Sequence, residues 1–382
     1  MLYGHDTMGL GHLRRNLALA AALRAGPDDP QVLIVTGASE AGRFELPEGV
    51  DLLTLPGVAK DLDGGYRSRR LDTSLDSVVD VRRAVLTAGL EAFAPDLLVV
   101  DKVALGFAGE LEPALVRLRA AGTRLVLGLR DVLDGPAAAA AEWRRLRTTE
   151  ALRTRYDEVW VYGDEQVSDL ADDCRVPPSV RHLLRYTGFL STGRSAGCPA
   201  EPPPVDGPYV LCVLGGGQDG AELAEAFAAA PRPAGLPAVI VGGPYLPEVT
   251  RARLDTAAAA DPALHVAVFC ADAAAWMPGA AAVVCMGGYN TVTEVLATDT
   301  PALVVPRCRP RTEQLVRARR LSDRGLVDDL HPDELGPGVL GRWLADAVTR
   351  PRRPRTGVDL TGLARIPELA GKHILEARGA VA

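Results

Sequence analysis

The sequence has few aromatic residues, no excess of positive charge and no long apolar run, and each absence excludes a class of protein. Aromatic residues make up 5% of the 382 residues, and the formal net charge is −7. The sequence therefore offers neither the stacking surface nor the electropositive face of a nucleic-acid-binding protein. No apolar run approaches the roughly 20 residues that a membrane-spanning helix needs. We expect no nucleic-acid partner and no integral membrane contact.

Paired cysteines and an export signal are also missing. The six cysteines show none of the spacings typical of zinc sites or disulfide frameworks. The start of the chain has no basic segment followed by an apolar one, which is the pattern of a secretory signal. We therefore expect a cytoplasmic protein with no bound metal.

What the sequence does contain is two series of apolar, strand-length runs that alternate with helix-like stretches. This alternation is typical of α/β domains with parallel sheets, and the chain length fits two of them. The first series is QVLIVTGA (31–38), VDLLTLPG (50–57), PDLLVVDK (95–102), RLVLGLRD (124–131) and EVWVYGD (158–164). The second is PYVLCVLGGG (208–217), PAVIVGGP (237–244), LHVAVFC (264–270), AAVVCMGG (281–288) and PALVVPR (301–307).

A proline- and glycine-rich segment at 191–207 separates the two series. We therefore predict two doubly wound, Rossmann-like domains, an N-terminal one at 1–190 and a C-terminal one at 208–358. In open parallel sheets ligands bind beyond the carboxyl ends of the strands. The prediction is that the two domains face each other across a cleft lined by strand-end loops.

The first candidate loop is the opening stretch GHDTMGLGHLRR (4–15). Gly9 and Gly11 allow the backbone to approach a ligand, and a helix predicted to begin near His12 directs its amides toward it. A dinucleotide fingerprint would need glycine where Arg14 stands. His12 is either a residue that caps or packs the loop or a functional group in the cleft, and its position favours the second interpretation.

Two further glycine loops follow strands of the second series. LGGGQDG (214–220) suits a turn whose amides hold a phosphate, although a plain strand-to-helix turn has the same pattern. In MGGYNTVTEVL (286–296), Thr291 and Glu294 spell a capping box. The alternative is that the Glu294 carboxylate binds a ribose diol one turn above a diphosphate. The candidate donor-binding residues of the two loops are Gly215, Gly216, Gly217, Gln218, Gly287, Gly288, Asn290, Thr291 and Glu294.

The segment RTEQ (311–314) places an acid and an amide, Glu313 and Gln314, at the start of another predicted helix. Such a pair can hydrogen-bond sugar hydroxyls, and an acid in the first turn is also an ordinary partner of the helix dipole. Local evidence does not separate the two interpretations.

In this order, the four segments resemble those of GT-B glycosyltransferases, most closely the bacterial N-acetylglucosaminyltransferases that form lipid II and their relatives. The resemblance implies a nucleotide-sugar donor, with UDP as the expected nucleotide, held mainly by the second domain. It implies that Gly11 lies at the donor, that Glu294 binds ribose, and that Glu313 and Gln314 bind the donor sugar. His12 would be the base of an inverting, metal-independent transfer, and the helix at 359–382 would pack back on the first domain.

The opening loop is less compact than in those enzymes, and the sequence shows no apolar, membrane-facing patch. The acceptor is therefore expected to be a soluble small molecule of specialised metabolism. The charged segment 58–73 is predicted either to line the acceptor side or to be a solvated loop. Its DLD at 61–63 resembles a metal motif of another glycosyltransferase architecture but lacks the preceding strand, so we interpret it as loop.

Alternatives remain open. Asp6, Gly9, Gly11, His12 and Arg15 also resemble the pattern of the UDP-sugar hydrolase of pseudaminic acid synthesis, in which water replaces the acceptor, and Asp6 is therefore a second catalytic candidate. The UDP-sugar 2-epimerases share the two-domain fold. A non-catalytic, sugar-nucleotide-binding partner protein is a further alternative. The sequence does not indicate the oligomeric state.

Overall fold

The computed structural model describes residues 1–5, 10–60, 65–194, 201–233, 235–270 and 272–381. The chain divides into two compact units. The first comprises Met1–Glu165, Asp169–Gly193 and Thr361–Ala382, and the second comprises Gln166–Ser168 and Arg194–Leu360. The segment predicted as a linker is thus shared between the units, with the division after Gly193.

The first unit is built on a parallel sheet with strand order β3-β2-β1-β6-β7-β8-β9, and β4 and β5 form a separate antiparallel hairpin. The strands are β1 Leu2–Gly4, β2 Val32–Thr36, β3 Val50–Thr54, β4 Val58–Lys60, β5 Tyr66–Ser68, β6 Leu97–Asp101, β7 Arg124–Arg130, β8 Glu158–Tyr162 and β9 Leu184–Tyr186. The helices are α1 Gly11–Arg24, α2 Leu75–Phe93, α3 Glu112–Ala120, α4 Pro136–Arg145, α5 Thr148–Arg155, α6 Leu170–Asp173 and α7 Pro178–Arg181.

Strand β1 has three residues but lies in the centre of this sheet. It pairs with β2 on one side and β6 on the other, so Leu2 lies between Ile34 and Val99. All three side chains are buried, which is why a strand this short is held firmly. The loop after β1 therefore starts at the carboxyl edge of the sheet, beside the end of β6.

The second unit has a parallel sheet of order β12-β11-β10-β13-β14-β15. Its strands are β10 Tyr209–Val213, β11 Ala238–Val241, β12 Leu264–Ala267, β13 Ala280–Cys285, β14 Ala302–Val304 and β15 Asp328–Asp329. Its helices are α8 Ala221–Ala228, α9 Glu248–Ala260, α10 Tyr289–Leu296, α11 Glu313–Ser322 and α12 Pro337–Ala347. The prediction of two doubly wound α/β domains is confirmed.

The C-terminal helix α13, Gly362–Val381, belongs to the first unit, where it packs on α1, β6 and β7. Its start is fixed by a hydrogen bond from the Gly362 amide to the Phe189 carbonyl and by Arg365 on the Thr187 carbonyl. Further along, His373 Nε2 lies 3.1 Å from Glu158 Oε2. Within the described ranges, no helix combines the length and apolar character needed to cross a membrane.

Candidate active site

His12 lies in the first turn of α1, and Asp101 is the last residue of β6. Because β1 and β6 are parallel neighbours, the loop after β1 and the end of β6 emerge at the same edge. His12 Nδ1 lies 2.8 Å from Asp101 Oδ2. The same oxygen accepts from Arg15, whose Nε is 3.1 Å away and whose Nη2 also contacts it. The structure thus places a histidine, an aspartate and an arginine in one cluster.

The charge state of Asp101 fixes the roles in this cluster. Burial by itself would raise the pKa of this carboxyl, but Arg15 and His12 outweigh burial and hold the pKa well below its ordinary value. The group is therefore ionised at neutral pH and only accepts hydrogen bonds. His12 Nδ1 must then carry its proton toward Asp101, which leaves the lone pair on Nε2. An imidazole oriented in this way is arranged to take a proton from a substrate.

A second histidine packs against the first. The ring of His5 lies 4.6 Å from that of His12, centroid to centroid, at an interplanar angle of 55°. Burial, reinforced by the neighbouring His12 and Lys102, lowers the pKa of His5 well below its ordinary value. His5 is therefore neutral at pH 7, and it limits the orientations open to the His12 ring without adding charge.

A buried network anchors the start of the glycine loop. Glu110 receives the Tyr3 hydroxyl at 2.5 Å and a two-pronged contact from Arg82, with Nε–Oε2 at 2.6 Å and Nη2–Oε1 at 2.7 Å. Arg82 also donates to the Pro56 carbonyl at 2.8 Å and to the His5 carbonyl at 3.4 Å. The side chains of Arg82 and Glu110 are fully buried. The loop thus leaves the sheet from a rigid base.

Two other predictions for this unit concern the loop itself and the segment 58–73. Asp6 and Gly9 lie outside the described residues. Gly11 opens α1, and a Cβ placed on it would meet no atom of the described residues within 4 Å. Of the segment 58–73, the hairpin strands are described, and Tyr66 packs edge-on against Phe107 at 5.0 Å. The DLD motif at 61–63 is also outside the described residues.

In the second unit, the loop after β10 packs backbone to backbone against the loop after β11. A Cβ on Gly217, at φ +87°, would lie 2.2 Å from the Gly242 carbonyl oxygen, and one on Gly243 would lie 2.4 Å from that of Gly215. These glycines are required by packing. Gly216 has ordinary clearance, with Tyr245 at 3.7 Å, and Gln218 is exposed.

The capping box proposed from Thr291 and Glu294 does not form. Gly288 is the N-cap of α10 and makes no side-chain cap, because glycine has no side chain to offer. Thr291 is the third residue of the helix, and Glu294 lies in its second turn, so neither can occupy the positions that a capping box requires. Both side chains are instead buried.

Arg194 covers the start of α10. Its Nη2 donates to Asn290 Oδ1 at 2.6 Å and its Nη1 to Thr293 Oγ1 at 3.4 Å, and its Nε lies 3.5 Å from Glu294 Oε1. The Arg194 side chain is 6% exposed. No local pattern in the sequence singles out this arginine. It contacts two of the predicted donor-binding residues, so a ribose diol could reach the Glu294 carboxylate only if the guanidinium moved.

Arg307, at the end of the segment that follows β14, connects two of the predicted loops. Its guanidinium pairs with Glu313 and lies 3.1 Å from Asp219 Oδ2, and its backbone amide donates to Gln314 Oε1 at 3.1 Å. The predicted sugar-binding residues Glu313 and Gln314 are thus both engaged by Arg307. The structure brings the segment after β10 and the start of α11 together at the carboxyl edge.

The loop after β13 joins the same edge. A Cβ on Gly287 would lie 2.9 Å from Gln314 Cβ, so only glycine fits there, and Arg317 Nη1 donates to the Gly287 carbonyl at 2.9 Å. Among the residues that the structure describes, in contrast, no atom would lie within 4 Å of a Cβ on Gly288. Gly288 therefore has clearance at the N-cap of α10, while Arg194 lies over the first turn of that helix and Arg307 lies among the neighbouring loops. Together they form a surface suited to an anionic ligand.

Comparison with known proteins agrees with this architecture. Residues 210–356 match the glycosyltransferase family 28 C-terminal domain. The chain matches no curated protein at a significant level.

Solved structures with the same fold cover nearly the whole chain. A MurG from Acinetobacter baumannii is 18% identical, with 97% of this chain and 98% of that one covered and a TM-score of 0.57. The glycosyltransferase VinC, in complex with dTDP, is 16% identical over 99% of both chains, with a TM-score of 0.59. A putative UDP-N-acetylglucosamine 2-epimerase from Listeria monocytogenes is 11% identical, covers 99% and 96% of the chains and has a TM-score of 0.61.

Proposed function

We propose that this chain, a GT-B protein whose second unit contains a glycosyltransferase family 28 C-terminal domain, transfers a sugar from a nucleotide sugar to a small-molecule acceptor. The donor is UDP-linked, and the acceptor is a soluble hydroxyl or amine compound of specialised metabolism. The observation that carries the proposal is the contact between His12 and the ionised Asp101 at the sheet edge that follows β1 and β6.

His12 acts as the general base. Its Nε2 takes the acceptor proton while the acceptor oxygen or nitrogen attacks the anomeric carbon of the donor, and the nucleoside diphosphate leaves from the opposite side with inversion. Asp101 keeps the imidazole in the required tautomer and stabilises the imidazolium that forms, and Arg15 holds Asp101 in place. General-base catalysis of this kind contributes about 10²- to 10⁴-fold.

The second unit holds the leaving group. The amides at the start of α10, next to Gly288, and the backbone around Gly216 supply partial positive charge, and Arg307 adds a full one. Donors of this kind offset the diphosphate charge without a metal ion. Glu294 binds the ribose diol once Arg194 has moved away from it, and Arg194 is then available to the diphosphate.

The first experiment measures UDP release from UDP-sugars, with and without a panel of acceptors, for the wild-type protein and His12→Ala. We expect the variant to lose about 10²-fold or more of the rate. His182→Ala is the matched control, since His182 is an exposed histidine of the same unit. Equal rates in His12→Ala and the wild type would remove His12 from the mechanism.

A calorimetric titration of UDP, TDP, GDP and ADP tests the donor site independently. We expect UDP to bind most tightly, because TDP lacks the 2′-hydroxyl that would donate to the Glu294 carboxylate. In Glu294→Gln the preference for UDP over TDP should disappear. A preference that survives this substitution would assign the ribose contact to another residue.

Hydrolysis or 2-epimerisation of a UDP-sugar is the second candidate, favoured by the fold shared with the putative epimerase. The same assay separates them. UDP release that does not depend on any acceptor and yields the free sugar supports a hydrolase, and an altered sugar configuration at C2 supports an epimerase. Binding of UDP with no turnover under any condition would favour a non-catalytic partner protein.

A further inference from the structure

A polar cavity lies in the second unit, away from the glycine loops. The basic segment TRPRRPRTG (349–357) runs past the residues that lead into β14 and β15 and lines a cavity of about 290 Å³. These are the amino ends of the strands, whereas the glycine loops follow the carboxyl ends of β10 and β13. We call this space the basic cavity. Its charged lining residues are Asp299, Arg324, Asp328, Arg350, Arg353 and Arg355.

Three arginines of the segment hold the wall of the basic cavity in place through hydrogen bonds and ion pairs. Arg355 donates to the carbonyls of Leu326, Val295 and Thr300 at 2.6–3.0 Å. Arg350 lies between Asp328 and Asp346, with its Nη groups 2.5 Å from each. Arg352 donates to the Ala280 carbonyl at 2.5 Å. Pro351 and Pro354 further restrict the backbone, so the wall is organised before any ligand arrives.

Arg324 and Arg353 differ from these three. Both are exposed at the cavity, and across the described ranges neither guanidinium has a hydrogen-bond or ion-pair partner. The carboxylates that line the cavity are already paired with other groups. Asp328 accepts from Arg350 and from Trp343 Nε1 at 2.6 Å, and Asp299 lies 3.3 Å from Arg352. Four arginines thus face two aspartates in a chain whose net charge is −7.

We propose that the basic cavity binds a small phosphorylated molecule, a phosphate monoester or diphosphate, at a site separate from the donor site. Two unpaired guanidinium groups on a fixed wall match the charge and the bidentate geometry of a phosphate. The volume is at the lower end of the range for small-molecule sites. An acidic segment of a protein partner has similar charge, but a concave space of this size favours the small ligand. The proposal does not depend on the transferase activity.

Trp343 provides a local reporter, because its indole donates to Asp328 on the cavity wall. The full chain is labelled with 5-fluorotryptophan, and the Trp343 resonance is assigned with Trp343→Phe. Inorganic pyrophosphate is then titrated at constant ionic strength and followed by ¹⁹F NMR. We expect a saturable shift of the Trp343 resonance with a dissociation constant of about 1 mM or tighter. Arg324→Gln/Arg353→Gln should weaken binding at least about tenfold.

Arg342→Gln is the matched control, since Arg342 is an exposed arginine beside Trp343 on α12 that does not line the cavity. It should bind pyrophosphate as the wild type does. The proposal is overturned if the shift never saturates, if chloride or sulfate produces it equally, or if the double variant binds unchanged. A saturable shift with hexaglutamate but not with pyrophosphate would also overturn it, and would identify an acidic protein partner instead.

Discussion

The contacts of Asp101 with His12 and Arg15 predict how much stability the protein loses when the Asp101 charge is removed. In Asp101→Asn the side chain keeps its shape but loses its charge. Arg15, whose side chain is 2% exposed, loses the charge of the Asp101 carboxylate. Removing one partner of a buried ion pair costs about 3–5 kcal/mol. We expect a loss of that size in the free energy of unfolding of the first unit at pH 7.

The pH dependence of this loss has a definite sign. The pKa of Asp101 is lower in the folded protein than the ordinary value of 3.8. The unfolded chain therefore binds the proton more readily, and the stabilisation is fully present above about pH 5 and decreases as the pH falls through the folded pKa. The advantage that the wild type owes to the ionised Asp101 over Asp101→Asn should accordingly shrink below about pH 4.

The assay is unfolding in urea, monitored by hydrogen exchange of peptides from β6 and β7. These peptides report on the first unit alone. Glu91→Gln is the matched control. Glu91 pairs with Arg117 at 2.7 Å, but the two side chains are 40% and 62% exposed, so its loss should cost less than about 1 kcal/mol. In the double variant Arg15→Gln/Asp101→Asn, part of the lost stability should return, because both charges of this pair are removed together.

A loss of stability in Asp101→Asn no larger than that in Glu91→Gln would show that Asp101 is not part of a stabilising buried ion pair. A wild-type advantage that persists unchanged to about pH 2 would show that the carboxylate is not its source. If the double variant loses more stability than the two single variants lose together, Arg15 is stabilised by groups other than Asp101.

Two further predictions concern glycines and the C-terminal helix. Gly217→Ala places a Cβ 2.2 Å from a carbonyl oxygen at φ +87° and should lower the thermal midpoint of the second unit by several degrees. Gly288→Ala, where φ is −63° and no described atom lies within 4 Å of the new Cβ, should leave the midpoint unchanged and weaken UDP binding in calorimetry. If neither variant weakens UDP affinity, these loops are not part of the nucleotide-binding site. Glu158→Gln removes the carboxylate charge from the contact with His373 and should speed hydrogen exchange of α13 peptides, while Lys372→Gln, at an exposed neighbour, should not. Equal exchange in both variants would show that the Glu158 charge does not anchor the helix through His373.

The sequence predicted His12 but not Asp101, and the difference is topological. His12 follows a glycine loop and opens a helix, which is a local pattern. Asp101 lies 89 residues away and becomes its partner only because β1 inserts between β2 and β6. A local sign existed, since Asp101 directly follows the buried run Leu97–Val100 at a strand end. Without the strand order, however, nothing joined it to His12.

The glycine loops show a different limit. The two glycine loops of the second unit had phosphate binding as one of their predicted roles, yet Gly217 and Gly287 are required by backbone and side-chain packing. Glycine serves close approach to a ligand and close approach to another loop through the same missing Cβ, so composition alone does not separate the two uses. The space around a Cβ placed on Gly216 or Gly288, which only the structure shows, distinguishes these two glycines from those required by packing. The capping box prediction was wrong because the N-cap of α10 is Gly288, three residues before Thr291.

The two acidic residues predicted to bind sugar hydroxyls meet arginines instead, and this has a consequence for any ligand. Glu294 lies against Arg194 and Glu313 against Arg307, with both carboxylates almost fully buried. A neutral diol that displaced Arg194 would leave one buried charge poorly compensated, which is costly. A ligand that also carries a diphosphate offers the displaced guanidinium a new partner. We therefore expect the whole nucleoside diphosphate to bind more tightly than the nucleoside alone, because the diphosphate compensates the charge of the displaced guanidinium.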